Sequence, residues 1–139
     1  MSDIKYKGQC ACGDFTYSCE GEPASVMACH CRDCQYASGS AFATVAFFPA
    51  ANCAMTGPSK VYTVKGEAGL TVKRHFCGNC GTPLYSMLAE MPEMLFIKVG
   101  TLEDPNLATL QGHMWCASKL SWLKLDDGLV QLPGNPPLA

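Results

Sequence analysis

Phe15, Tyr17 and Cys19 alternate with polar neighbours, the period of two that lines one face of a β-strand. Residues 60–65 and 70–76 read as two further strands, and residues 94–99 and 122–125 carry the same β-like pattern. Residues 41–48 are apolar at both parities, which suits a central strand buried on both faces. Gly and Pro punctuate these segments at Gly21-Glu22-Pro23, Gly57-Pro58, residues 66–69 and residues 134–137. No amphipathic helix of ten residues or more is present in the pattern; one short helical turn is expected over residues 32–37. The expectation is an all-β or mainly β domain whose reactive side chains sit in the turns between strands. No linker or internal repeat divides it, and residues 134–139 read as a fraying tail.

A chain of 139 residues is expected to form one domain, residues 1–139, large enough to bury a core. The longest apolar run, residues 41–51, is interrupted by Thr44 and Pro49 and is too short to span a bilayer. The N-terminus, Met1-Ser2-Asp3-Ile4-Lys5, lacks the charged-then-apolar layout of a secretion signal. A soluble protein of the cytoplasm, a reducing compartment, is the expectation. In that setting 10 cysteines argue for metal rather than disulfides.

Those cysteines are clustered. Cys10-Ala-Cys12-Gly13, Cys29-His30-Cys31-Arg32-Asp33-Cys34 and Cys77-Gly78-Asn79-Cys80-Gly81 hold seven of the ten. Thiolates one to three residues apart converge on a soft cation because a tight turn joins them, and zinc prefers four in a tetrahedron. The two pairs, Cys10 with Cys12 and Cys77 with Cys80, make one complete set, and each is followed by a glycine able to turn the chain. Joining them closes a loop of 64 residues and contributes to folding.

The triple Cys29, Cys31 and Cys34 is one ligand short of four. An open position, taken by water or a substrate thiol, marks a catalytic zinc site. Two other readings stay open on the spacing alone. His30, His75, His113 or a remote cysteine could close the site, or Cys31 and Cys34 could form a redox pair. Cys19, Cys53 and Cys116 stand alone in apolar contexts and read as buried and inert. The histidines fit hydrogen-bonded supporting roles. Met87, Met91 and Met94 fit core filling rather than a thioether copper site.

The formal charge is −2; ionising seven thiols and adding two divalent zinc ions takes it to −5. No basic run is present, which disfavours nucleic acid and polybasic contact with a membrane. A small-molecule partner remains.

The ordered motifs resemble a known family. Lys7-Gly8-x-Cys10-x-Cys12-Gly13 is followed by Cys29-His30-Cys31-x-x-Cys34, Ser40-x-Phe42 and Arg74-x-Phe76-Cys77-x-x-Cys80-Gly81. Gly100-Thr101-Leu102-Glu103-Asp104-Pro105 and the stretch from His113 to Trp122, with Ser118-Lys119-Leu120 inside it, continue the likeness. The pattern is similar to the glutathione-dependent formaldehyde-activating (GFA) family, also called the CENP-V/GFA domain, over nearly the whole chain. The resemblance implies a β-tent of small antiparallel sheets around zinc. It implies a structural zinc on Cys10, Cys12, Cys77 and Cys80, and a second, more labile one on Cys29, Cys31 and Cys34. It also implies a carbon–sulfur lyase acting on a thiol–aldehyde adduct such as S-(hydroxymethyl)glutathione, with Cys29, Cys31 and Cys34 at the catalytic centre. Fold and site transfer better than substrate. The alternative is a non-catalytic zinc module or a carrier of glutathione or another thiol.

An anionic thiol such as glutathione needs cations, and Arg32, Lys60, Arg74 and Lys119 are the candidates by location. Asp33 and His30 are the nearest options for a general base. The sequence leaves the oligomeric state open.

Overall fold

The computed structural model describes residues 4–136; residues 1–3 and 137–139 lie outside it, and with them parts of the N-terminus and tail read above. Among the described residues eleven strands are arranged in two sheets. The smaller holds β1 (Ile4–Gln9), β2 (Thr16–Glu20) and β5 (Cys53–Thr56), in the order β1-β2-β5. The larger contains β3 (Ser25–Cys29), β4 (Ala43–Pro49), β6 (Lys60–Lys65), β7 (Thr71–Phe76), β8 (Pro83–Leu88), β9 (Met91–Lys98), β10 (Gly112–Met114) and β11 (Val130–Gln131). Its order is β11-β10-β3-β4-β9-β8-β7-β6. The mainly β architecture built of small sheets is the one expected. Pairing is antiparallel except at β3–β10 and β10–β11, which are parallel.

β4 explains why the protein has two cores. Period-two alternation sends Ala46 and Phe48 to one side of the sheet and Ala43 and Val45 to the other, and all four are buried. On the first side they meet Tyr6, Phe15 and Tyr17 from the small sheet and its turns, with Cys10 and Cys77 in the same cluster. On the second, Ala43 and Val45 join Met27, Cys29, Cys34 and Met114. Each cysteine centre is thereby seated against its own core.

The short helix expected after Cys31 is α1 (Arg32–Ser38). The Cys31 sulfur caps it by accepting the Cys34 N–H at 3.3 Å, and Gly39 ends it in the left-handed conformation at φ 65°. Residues 122–125 are not a strand. Their backbone makes a local turn, with the Leu123 N–H donating to Leu120, and Lys119 Nζ donates to the Leu123 carbonyl at 2.7 Å. The strand that pairs with β10 on the side away from β3 is Val130–Gln131. Among the described residues no helix is long and apolar enough to cross a membrane.

The isolated cysteines lie where apolar residues would. Cys19 is fully buried and faces Cys53 across β2 and β5, sulfur to sulfur at 3.3 Å; Cys116 is half-buried. None of the three joins either cluster of ligand sulfurs. Cys19→Ala, Cys53→Ala and Cys116→Ala should each retain the full metal content of the parent protein, measured by elemental analysis. Loss of an equivalent from any one would add a ligand to the sites described below.

Candidate metal centres and the cavity beside them

The turns after β1 and after β7 have the same build. The Gly13 N–H returns to the Cys10 carbonyl at 3.1 Å, and the Gly81 N–H to the Cys77 carbonyl at 2.8 Å. Both glycines have positive φ, 83° and 79°, a region that side chains rarely enter. Backbone amides then point at sulfur: Phe15 N–H donates to Cys10 Sγ at 3.3 Å, and the Asn79 and Cys80 N–H groups to Cys77 Sγ at 3.4 and 3.5 Å. Such donors stabilise thiolates.

The four sulfurs of Cys10, Cys12, Cys77 and Cys80 all lie within 4.8 Å of one another. Cys10 and Cys12 are 3.6 Å apart, and Cys12 and Cys77 3.7 Å. A tetrahedron with metal–sulfur bonds of about 2.3 Å has edges of about 3.8 Å, so this donor set fits zinc. Cys80 is held at about 5, well below an ordinary thiol, chiefly by hydrogen bonds from the Thr82 side chain and backbone.

The sulfurs of Cys29, Cys31 and Cys34 form the second group, again within 4.8 Å. Cys29 ends β3, and α1 turns Cys31 and Cys34 back toward it. The thiols share protons unequally. Hydrogen bonds from Cys29 and Cys31 pull Cys34 down, with Lys98 and Arg74 adding positive potential; the same contacts and burial push Cys29 up. Among the described residues no His, Cys, Asp or Glu supplies a fourth ligand atom to this cluster. The histidines are engaged elsewhere. His30 Nε2 lies 3.0 Å from His113 Nδ1, and His113 Nε2 lies 2.8 Å from an Asp127 carboxylate oxygen. His75 stacks on Tyr85 and bonds Ser59.

His30 and His113 are both buried, so Asp127 ties the loop before β11 to the three-cysteine segment. The hydrogen bond from His113 holds the Asp127 carboxyl below its ordinary range. A depressed carboxyl stabilises the fold above its unfolded-state value, and that contribution disappears as pH falls through the folded-state value. Asp127→Asn should therefore lower the thermal midpoint at pH 7, and the gap to the parent should close as pH drops below the ordinary carboxylate range. A gap independent of pH would contradict this.

A cavity of about 120 Å³ opens on the three sulfurs. One face of β4, β9, β8 and β7 forms much of its wall, because cross-strand register sets Val45 opposite Lys98, Phe47 opposite Phe96, Phe96 opposite Ser86, and Ser86 opposite Arg74. Arg74 brings Nη2 to 3.9 Å from Cys34 Sγ, while its buried Nε has no hydrogen-bond partner among the described residues. Lys98 shares the cavity wall, and burial pushes its ammonium below the usual lysine range. Trp115, at the rim, holds positive φ of 58° and donates its indole N–H to Asn135 Oδ1 at 2.6 Å.

Of the four cations chosen from sequence, only Arg74 lines this cavity. Arg32 bonds Gln35 and lies over the Tyr36 ring, Lys119 binds backbone carbonyls, and Lys60 packs along Gly78 beside the four-cysteine turn. Lys98 was missed. Asp33 lines the cavity and His30 does not.

A mainly β scaffold bearing two cysteine clusters able to bind metal ions, compatible with zinc, defines a class of cysteine-cluster metal proteins. The sequence profile of the glutathione-dependent formaldehyde-activating enzymes matches residues 5–118, and the chain belongs to that family. The fold is similar to the crystal structure of a Rhodobacter sphaeroides protein, with a TM-score of 0.55 and 19% identity. That match covers 91% of this chain and 98% of the other, and the likeness is one of fold. No curated protein matches the sequence.

Proposed function

We propose that the protein is a zinc-dependent carbon–sulfur lyase acting on a thiol–aldehyde adduct, with S-(hydroxymethyl)glutathione as the family's example. Cys10, Cys12, Cys77 and Cys80 hold a structural zinc; Cys29, Cys31 and Cys34 hold a second, exchangeable one. The observation that carries this reading is the three-sulfur cluster at the wall of a cavity that two cations also line. Ten free cysteines fit the reducing cytoplasm.

In the synthetic direction the thiol sulfur bonds the carbonyl carbon and the thiol proton ends on oxygen; cleavage is the reverse. Zinc at such a site supplies Lewis acidity and favours the thiolate form of a bound thiol. The chain's own part is electrostatic and positional. Arg74 and Lys98 place positive charge where oxygen gains negative charge. Asp33 and Glu67 are the carboxylates that line the cavity, and Asp33, next to Cys34 in sequence, is the one assigned to carry the proton. The cavity walls fix sulfur and carbonyl carbon together and limit water.

Exchange of glutathione and formaldehyde with their adduct, followed by magnetisation transfer, tests the reading. The parent protein should accelerate exchange in proportion to its concentration, and Cys31→Ser should not. Binding of glutathione with no change in exchange rate would establish a carrier instead.

A further inference from the structure

The cavity beside Cys29, Cys31 and Cys34 is small and mostly apolar, with Asp33 and Glu67 among the residues that line it. Val45, Phe47, Val72, Leu88, Phe96 and Met114 give it apolar walls, drawn from four strands and the end of β10. Ser86, Arg74 and Lys98 are the polar groups on the strand face among them. Its volume, about 120 Å³, is below the roughly 300 Å³ at which pockets enclose drug-sized ligands. It is close to the volume, about 150 Å³, of an apolar cavity known to take benzene.

Glutathione does not suit that space. It is a tripeptide too large for a space of this volume. Its two carboxylates and ammonium group would face apolar walls over most of it, beyond the reach of Arg74 and Lys98 at one end, which is costly. Formaldehyde does not use the space either, since its carbon bears only hydrogens. An apolar wall left facing water is a loss that a ligand's apolar group would recover. Arg74 supplies a second observation. Its buried Nε has no partner among the described residues, and its guanidinium borders the sulfurs. The cavity therefore has an apolar body, with a cationic end beside the reacting centre.

We infer that the adduct handled by this protein carries a benzene-sized apolar group, aryl or branched alkyl, which fills the cavity while its oxygen faces Arg74 and Lys98. This rests on the lyase reading and names its substrate class. Either half of the adduct can bring the apolar group. As an aldehyde substituent it would enter the cavity with glutathione left outside; as the body of a small thiol it would enter behind the sulfur.

Two arms of one experiment separate these cases. The full-length protein is loaded with cobalt(II), whose thiolate charge-transfer bands report each added sulfur, and titrated with phenylmethanethiol, 2-mercaptoethanol and glutathione. In parallel, the zinc form is tested for acceleration of adduct exchange, over the uncatalysed rate, with glutathione plus either formaldehyde or phenylacetaldehyde. The inference expects a preference of about tenfold or more for the apolar member in at least one arm. The thiol arm would assign the apolar group to the thiol, and the aldehyde arm to the aldehyde. Leu88→Asp should abolish the preference. Should that variant misfold, the parent's own selectivity still decides the matter.

Equal response to apolar and polar members in both arms overturns the inference, while a cobalt spectrum that responds to any thiol leaves the open-site reading standing. A cobalt spectrum indifferent to every thiol, together with no acceleration of exchange for either aldehyde, overturns both.

Discussion

Cys77→Ser should fail to accumulate as a folded protein, and Cys12→Ala should behave the same way. Cys77 is fully buried in the first core, its sulfur accepts two backbone amides, and it lies 3.7 Å from Cys12. Removing it exposes a loss on two levels. A structural four-thiolate zinc contributes about 10 kcal/mol or more of apparent binding energy to the folded state, comparable to the whole stability of a domain. The Asn79 and Cys80 amides of the turn also lose the sulfur they donate to. Cys34→Ser, in contrast, should yield a folded protein. Thermal unfolding of the two variants side by side is the check, and equal midpoints would contradict the division of labour between the sites.

The same Cys34→Ser variant should show the largest effect on chemistry. Its sulfur is the thiol of the triple most strongly favoured as thiolate, with Arg74 and Lys98 supporting that charge. Losing it leaves two ligands and weakens the hold on the exchangeable zinc. Acceleration of adduct exchange should fall by at least about a hundredfold, or to the uncatalysed rate, since even supporting groups around a metal cost tenfold to a hundredfold. Arg74→Gln leaves all three sulfurs in place and should cost less, about tenfold. A Cys34→Ser protein that keeps the parent's rate would remove the triple from the reaction.

Much of this is legible in the sequence. β4 announced itself by apolar residues at both parities, and its two buried faces became the two cores. The cysteine clusters were legible because ligands close in sequence need only a turn to converge, and turns are local. Lys98 was not legible in this way. Its strand reads as Leu95 and Ile97 on the core face, with Phe96 and Lys98 on the other. Only the pairing of Lys98 with Val45 and of Phe96 with Ser86 shows that this second face lines a cavity, and such register is a long-range property. The His30–His113 contact is hidden for the same reason. It depends on the parallel ladder between β3 and the three-residue β10, across a sequence separation of 83. Residues 122–125 mislead in the opposite sense, because a strand-like pattern without a ladder partner folds into a turn.

Metal stoichiometry during graded chelation tests the central claim most directly. Protein purified without oxygen should contain two zinc equivalents per chain. A mild chelator should remove one of them quickly with the fold intact, and the second only with unfolding. Cys34→Ser should lack the fast equivalent and keep the slow one. A single equivalent, or two that leave together at the same chelator concentration, would contradict a structural site paired with an exchangeable one.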